Sequence, residues 1–181
     1  RWLQMKKVLI ISSSPRHNSN SYLLCKEFER GVLEAGHSVE LVRLADKKIN
    51  YCIGCYACSK LGHCFQNDDM NELALKMQEA DVIVLASPVY FYSMSGQLKV
   101  FIDRLVQNYT KIHADIYLLI TAWDSDVENL QSTLEAIRGC TRDCFEDCQE
   151  KGCIVVGGVN QAGDIKGRKE LLQAYNMGKN V

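Results

Sequence analysis

Proline is nearly missing from this chain, with two among 181 residues. A disordered or linker-rich protein would carry many more, so that class is excluded. An excess of either charge is missing too: 21 Lys and Arg stand against 22 Asp and Glu, for a net charge of −1. Such a balance leaves no electrostatic footprint for nucleic acid or an anionic membrane surface. No apolar run approaches the ~18 residues that a membrane-spanning helix needs. A Walker A pattern and a G-x-G-x-x-G fingerprint are absent, which argues against nucleoside triphosphate and dinucleotide pyrophosphate ligands. No Ser-His-Asp or Cys-His ordering points to a hydrolase. The opening residues do not read as a secretory leader. The first apolar run ends at Ile11 and gives way to Ser12-Ser13-Ser14-Pro15-Arg16, too short and too polar for export. The expected compartment is the cytoplasm. Met5 reads as a natural start, so residues 1–4 are set aside.

What is present is an ordinary globular composition, 47% hydrophobic and 24% charged, enough to bury a core. Length predicts one domain, 5–181. Short apolar runs at 7–12, 39–44, 81–87, 115–121 and 152–157 have the pattern of strands buried on both faces. Helical periods lie between them at 21–35, 95–110, 127–150 and 167–178. Strands alternating with helices predict a three-layer, doubly wound α/β domain. Ligands of such folds sit beyond the carboxyl ends of the strands. The loops there are where chemistry is expected.

The loop after the first strand, 12–21, packs five serines, two asparagines and an arginine into ten residues. Hydroxyls, amides and free backbone N–H groups at a helix N-terminus are the donors that a phosphate monoester needs. The candidates are Ser12, Ser14, Arg16, Asn18, Ser19, Asn20 and Ser21, with Arg16 adding a charge-assisted bond. A helix cap alone needs one such residue. The loop after the third strand sets Pro88 and Val89 beside Tyr90, Phe91 and Tyr92, faces suited to a flat heterocycle.

Taken together, 12–21, 87–103 and the tail 174–179 resemble the NADPH-dependent FMN reductase branch of the flavodoxin-like proteins. The resemblance implies a five-stranded parallel sheet in the order 2-1-3-4-5. It implies FMN, with its phosphate on the first loop and its ring against Pro88, Val89, Tyr90 and Phe91. Thr121 and Trp123, after the fourth strand, are placed on the far side of the flavin by position. One departure is Ser13, where the family has glycine.

Nine cysteines are the compositional anomaly. Four of them, Cys52, Cys55, Cys58 and Cys64, fall within thirteen residues after the second strand. In a reducing compartment such a group reads as metal-binding or catalytic rather than disulfide-bonded. The spacing resembles ferredoxin ligand runs. It also resembles the iron–sulfur flavoproteins of the same superfamily, and Asn67-Asp68-Asp69-Met70 continues that match. This implies a 4Fe–4S cluster; flavodoxin-like relatives with similar cysteines and no cluster keep the alternative open. Cys140, Cys144 and Cys148 extend an apolar helical stripe and read as core, as do Cys25 and Cys153. His63 reads as a surface residue.

The implied activity is an FMN-dependent oxidoreductase that takes a hydride from NADPH or NADH and passes electrons to a small-molecule or protein acceptor. No side chain is needed as general acid or base, because the redox chemistry is the cofactor's. The alternative is a ferredoxin-linked electron carrier without nicotinamide turnover; a third is a redox-responsive FMN protein. Aromatic and apolar side chains in 50–66 and 88–95 predict a homodimer, or a tetramer of paired dimers, with neither a nucleic-acid nor a membrane partner.

Overall fold

The computed structural model describes residues 4–181. Residues 1–3, within the segment set aside above, lie outside the described residues. Five long strands form one parallel sheet: β1 (Lys7–Ser12), β2 (Ser38–Arg43), β3 (Val82–Tyr90), β5 (Asp115–Thr121) and β6 (Gln149–Val156). A two-residue strand, β4 (Ser93–Met94), folds back antiparallel on the end of β3. The sheet runs β2-β1-β3-β5-β6. Counting only the long strands, this is the order 2-1-3-4-5; β4 is the addition.

Successive side chains of a strand face opposite sides of the sheet, so an unbroken apolar run requires a core on both. Ile11, Leu85 and Leu118 pack on one side beneath α3 (Met70–Glu79), α4 (Gly96–Arg104) and α5 (Gln131–Thr141), while the short α2 (Ala57–Leu61) buries none of its residues. Their neighbours Ile10, Val84 and Leu119 pack on the other, beneath α1 (Asn20–Glu34) and α6 (Lys169–Lys179). The helices α1 and α6 touch through glycine. A Cβ at Gly31 would lie 2.1 Å from the Tyr175 carbonyl oxygen, and one at Gly178 2.0 Å from that of Phe28.

Two expected helices and the role of one cysteine need correction, and one helix was not expected. The helix predicted over 95–110 ends at Arg104, and single 3-10 turns follow at Leu105–Gln107 and Tyr109–Lys111. The one predicted over 127–150 is a 3-10 turn at Val127–Leu130 followed by α5, and a left-handed Asp147 then turns the chain into β6. The apolar stripe therefore stops near Cys140. Phe145 takes the buried position, and Cys144 is exposed, against the core role expected for it. Finally, no element is assigned to 70–79 from sequence. Met70, Leu73, Ala74 and Met77 recur there at i, i+3, i+4 and i+7, and all are buried on α3.

Candidate functional site

The hydroxyl-rich loop leaves β1 at its carboxyl end and enters α1 at Ser19, whose side chain accepts the Tyr22 N–H at 3.2 Å. One serine suffices for that cap. Ser13 turns inward instead. Its hydroxyl donates to the Ala86 carbonyl at 2.9 Å and accepts from Ser95 at 2.8 Å. Ser95 in turn caps α4 by accepting the Leu98 N–H, and its own N–H is bonded to Ser87 Oγ at 2.9 Å. These buried hydroxyls tie the first loop to the third. The departure from glycine at 13 thus puts no side chain into the open space above the loop.

That space is a pocket of about 240 Å³. Four loops at strand carboxyl ends line it: Ser14, Arg16, Ser19, Asn20 and Ser21 from the first, Pro88, Val89 and Tyr90 from the third, Thr121, Ala122 and Trp123 after β5, and Val159, Asn160 and Ala162 after β6. Ten of the thirteen flavin candidates meet here. Three do not. Ser12 is buried at the end of β1, Asn18 is an exposed left-handed turn residue, and Phe91 projects fully into solvent. Asn20 lines the wall, but its amide is already engaged, donating to the Gln161 carbonyl at 2.9 Å and accepting the Ile165 N–H at 3.1 Å. It braces the last loop. Arg16 reaches the same loop, with one guanidinium N–H on the Asn160 carbonyl at 2.7 Å. The wall at 159–162 was missed from sequence. The glycine pair Gly157-Gly158 after a buried run was the available signal, since it marks another turn on the same rim.

Phe91 and Tyr92 are the two central residues of the β3–β4 hairpin, with φ of 50° and 55°. Two left-handed residues make the turn that matches strand twist, a place normally held by Asn or Gly. Bulky residues there cost strain, and such strain collects at functional sites. Tyr92 is held by its hydroxyl, which donates to Asp124 at 3.0 Å, and by Ser132, which donates to its carbonyl at 2.7 Å. Asp124 also accepts from the Asp126 N–H and from Asn129. Those bonds hold its carboxyl below the ordinary range.

The four clustered cysteines line a second cleft of about 280 Å³. Cys52, Cys55, Cys58 and Cys64 share it with Phe65, Val106 and Gln107, and with Asp103 and Arg104 at the end of α4. It shares no lining residue with the first pocket. The cysteine loop starts on the expected rim, where Tyr51 faces Gly96 and Gln97, and then runs along α4 to its far end. At 1.5 Å per residue, that is roughly 12 Å along the helix from Ser95. The thiols therefore line a cleft at the C-terminal end of α4, separate from the first pocket. Among the described residues, no three His, Cys, Asp or Glu side chains converge tightly enough for a single ion. Of the remaining thiols, Cys25 is fully buried, Cys140, Cys148 and Cys153 pack partly buried against the core, and Cys144 is exposed. Burial pushes Cys25 and Cys140 up to about 12 and Cys153 to about 11, so all three stay protonated at neutral pH.

A parallel sheet of this order, with a polar-and-aromatic pocket at its carboxyl rim, defines the flavodoxin-like α/β class. Within it, the chain belongs to the NADPH-dependent FMN reductase family, whose model matches residues 6–137. An iron-sulfur flavoprotein of Methanocaldococcus jannaschii is 48% identical over 98 residues, covering 54% of this chain and 51% of that protein. One from Archaeoglobus fulgidus is 43% identical over 105 residues, covering 56% and 46%. The chain thus spans about half the length of these curated relatives. Among solved structures, the NAD(P)H:quinone oxidoreductase from Methanothermobacter marburgensis superposes with a TM-score of 0.76 at 20% identity, covering 97% of this chain and 96% of that one. At that identity the likeness speaks for the fold alone. No helix among the described residues is long and apolar enough to cross a membrane.

Proposed function

We propose that this chain binds FMN in the first pocket and passes electrons from NADPH or NADH through it to a small-molecule or protein acceptor. The observation that carries this is the pocket's division of labour. Serine hydroxyls, Arg16 and the N-terminus of the fifteen-residue α1 come from the first loop, and Pro88, Val89, Tyr90 and Trp123 from the ends of β3 and β5. The first set suits a phosphate and the second an aromatic ring. Bound FMN supplies the redox chemistry, exchanging hydride or single electrons. The chain's own part is to hold and orient. Ser14, Ser19, Ser21 and Arg16 present donors, while Asn20 fixes the loop after β6 as the opposite wall. Fluorescence titration with FMN tests this directly, and failure to quench at micromolar protein overturns it. Steady-state turnover with NADPH and NADH then separates this reading from a ferredoxin-linked electron carrier, which turns over with neither.

The second cleft fits a 4Fe–4S cluster held by Cys52, Cys55, Cys58 and Cys64. Four thiols line one cavity, and a buried guanidinium nitrogen of Arg104 has no hydrogen-bond partner among the described residues. Cluster ligation calls for thiolates, and hydrogen bonds to sulfur are part of its environment. Anaerobic purification with iron and sulfide analysis tests it. The proposed assembly is a homodimer, or a tetramer built from it, in the cytoplasm. Tyr51, Ile53, Tyr56, Phe65, Phe91, Tyr92 and Trp123 are all more than half exposed in the single chain. Exposed aromatic and apolar side chains in such number favour a subunit contact. Sedimentation showing a 20 kDa species with FMN bound overturns this.

A further inference from the structure

Arg104 and Asp68 are the most deeply buried ion pair among the described residues, with side chains 1% and 0% exposed. Two charges out of water are costly to keep, and replacing such a pair by apolar residues is often neutral or stabilising. This pair also does something a salt bridge alone does not. Asp68 accepts the Asn50 N–H at 2.9 Å, and Arg104 donates to the Asn50 carbonyl at 2.8 Å, so together they close the loop that carries the cysteines. At the loop's other end, Cys64 is held by its backbone. Gln107 accepts its N–H at 2.9 Å, and Asn71 donates to its carbonyl at 3.0 Å. Arg104 spends both terminal nitrogens on Asp68 and Asn50, at 2.7 to 3.0 Å. Its Nε is left unpartnered, although buried, and the Cys64 thiol lies beside the guanidinium. The cleft's other charged residue, Asp103, is paired with Lys99.

We infer that Arg104 is a positioning residue for the sulfur site. Its fixed charge and spare Nε–H serve Cys64 and the cluster, and Asp68 aims it and tempers its charge. The inference rests on the cluster reading above. Its physics is that a cluster gains negative charge on reduction. A nearby cation, or an N–H bonded to sulfur, stabilises the reduced form and raises the midpoint. Removing Arg104 must lower the midpoint, whereas removing Asp68's charge must raise it. A merely structural pair would shift both the same way or neither.

The experiment uses the full chain, purified anaerobically, with FMN binding as the check that each variant is folded. Iron and sulfide are measured, and the cluster midpoint is read by a dithionite titration followed by electron paramagnetic resonance. Arg104→Gln is expected to lower the reduction constant at least tenfold, which is 59 mV for a one-electron couple. Arg104→Lys should restore most of that, and Asp68→Asn should move the midpoint the other way. Iron lost from Arg104→Gln but retained in Arg104→Lys carries the same meaning. Unmoved midpoints, shifts of one sign in Arg104→Gln and Asp68→Asn, or equal iron loss from both Arg104 variants overturn the inference alone. A wild-type chain that takes up FMN but no iron or sulfide overturns the cluster reading together with it.

Discussion

Replacing Arg16 by alanine separates phosphate recognition from ring recognition. The guanidinium lines the pocket beside Ser14, Ser19 and Ser21 and is already anchored to the Asn160 carbonyl at 2.7 Å. Its remaining donors need little ordering when a phosphate arrives. A hydrogen bond to a charged group contributes about 1.5–3 kcal/mol, and the side chain's exposure places Arg16 near the lower figure. At 1.4 kcal/mol per factor of ten, FMN should bind Arg16→Ala about tenfold more weakly. Riboflavin lacks the phosphate and supplies the control: its affinity should be unchanged. Arg16→Lys keeps the charge but not the fork, and should lose roughly a factor of three. Quenching of flavin fluorescence measures all of these. Equal weakening of FMN and riboflavin would show that Arg16 acts by bracing the loop after β6, not by holding phosphate. An FMN affinity within twofold of wild type would place the phosphate elsewhere.

Ser95→Ala removes the cap of α4 and the hydroxyl that bridges to Ser13, so it should cost about 2 kcal/mol and lower the melting temperature by ~4–8 °C. Gly178→Ala drives a methyl group into the Phe28 carbonyl and should destabilise by about 1–3 kcal/mol or more. Gly139→Ala on α5 meets nothing within 4 Å, and should instead stabilise by roughly 0.5–1 kcal/mol in urea unfolding. Acid stability should depend on Asp68. Burial by itself would raise its carboxyl, but the bonds from Arg104 and from the Asn50 and Met70 N–H groups outweigh this and hold it below the ordinary range. A lowered carboxyl stabilises fully above the unfolded value of about 3.9, and the contribution is lost as pH falls through the folded one. Asp68→Asn should therefore be less stable near neutrality by ~3–5 kcal/mol, yet show a flatter loss below pH 4. A variant that loses stability as steeply as wild type under acid would refute the assignment.

Much of the fold was legible because it rests on local patterns. Val8–Ile11 and Val82–Ala86 are unbroken apolar runs, and only a strand covered on both faces satisfies them. The serines of 12–21 and the proline and tyrosine at 88 and 90 could be placed on one rim from topology alone. Where the reading fell short, the deciding partner lay far away in the chain. Asn20 lines the pocket as expected, but its amide also braces the loop after β6 through the carbonyl of Gln161, 141 residues on. Cys144 continues a helical period on paper, but the helix ends at Thr141 and the chain turns toward β6. Nothing in the sequence singled out Arg104, whose partner Asp68 lies 36 residues away. Composition, the positions of the strands and the chemistry of each loop are properties of short segments, and the sequence by itself determined them. Which polar groups are spent on one another, and which are left facing a ligand, depends on what the fold brings within 3 Å. Hydrogen bonds and buried charges are directional, short-ranged and costly when unpaired, so only the tertiary structure decided that.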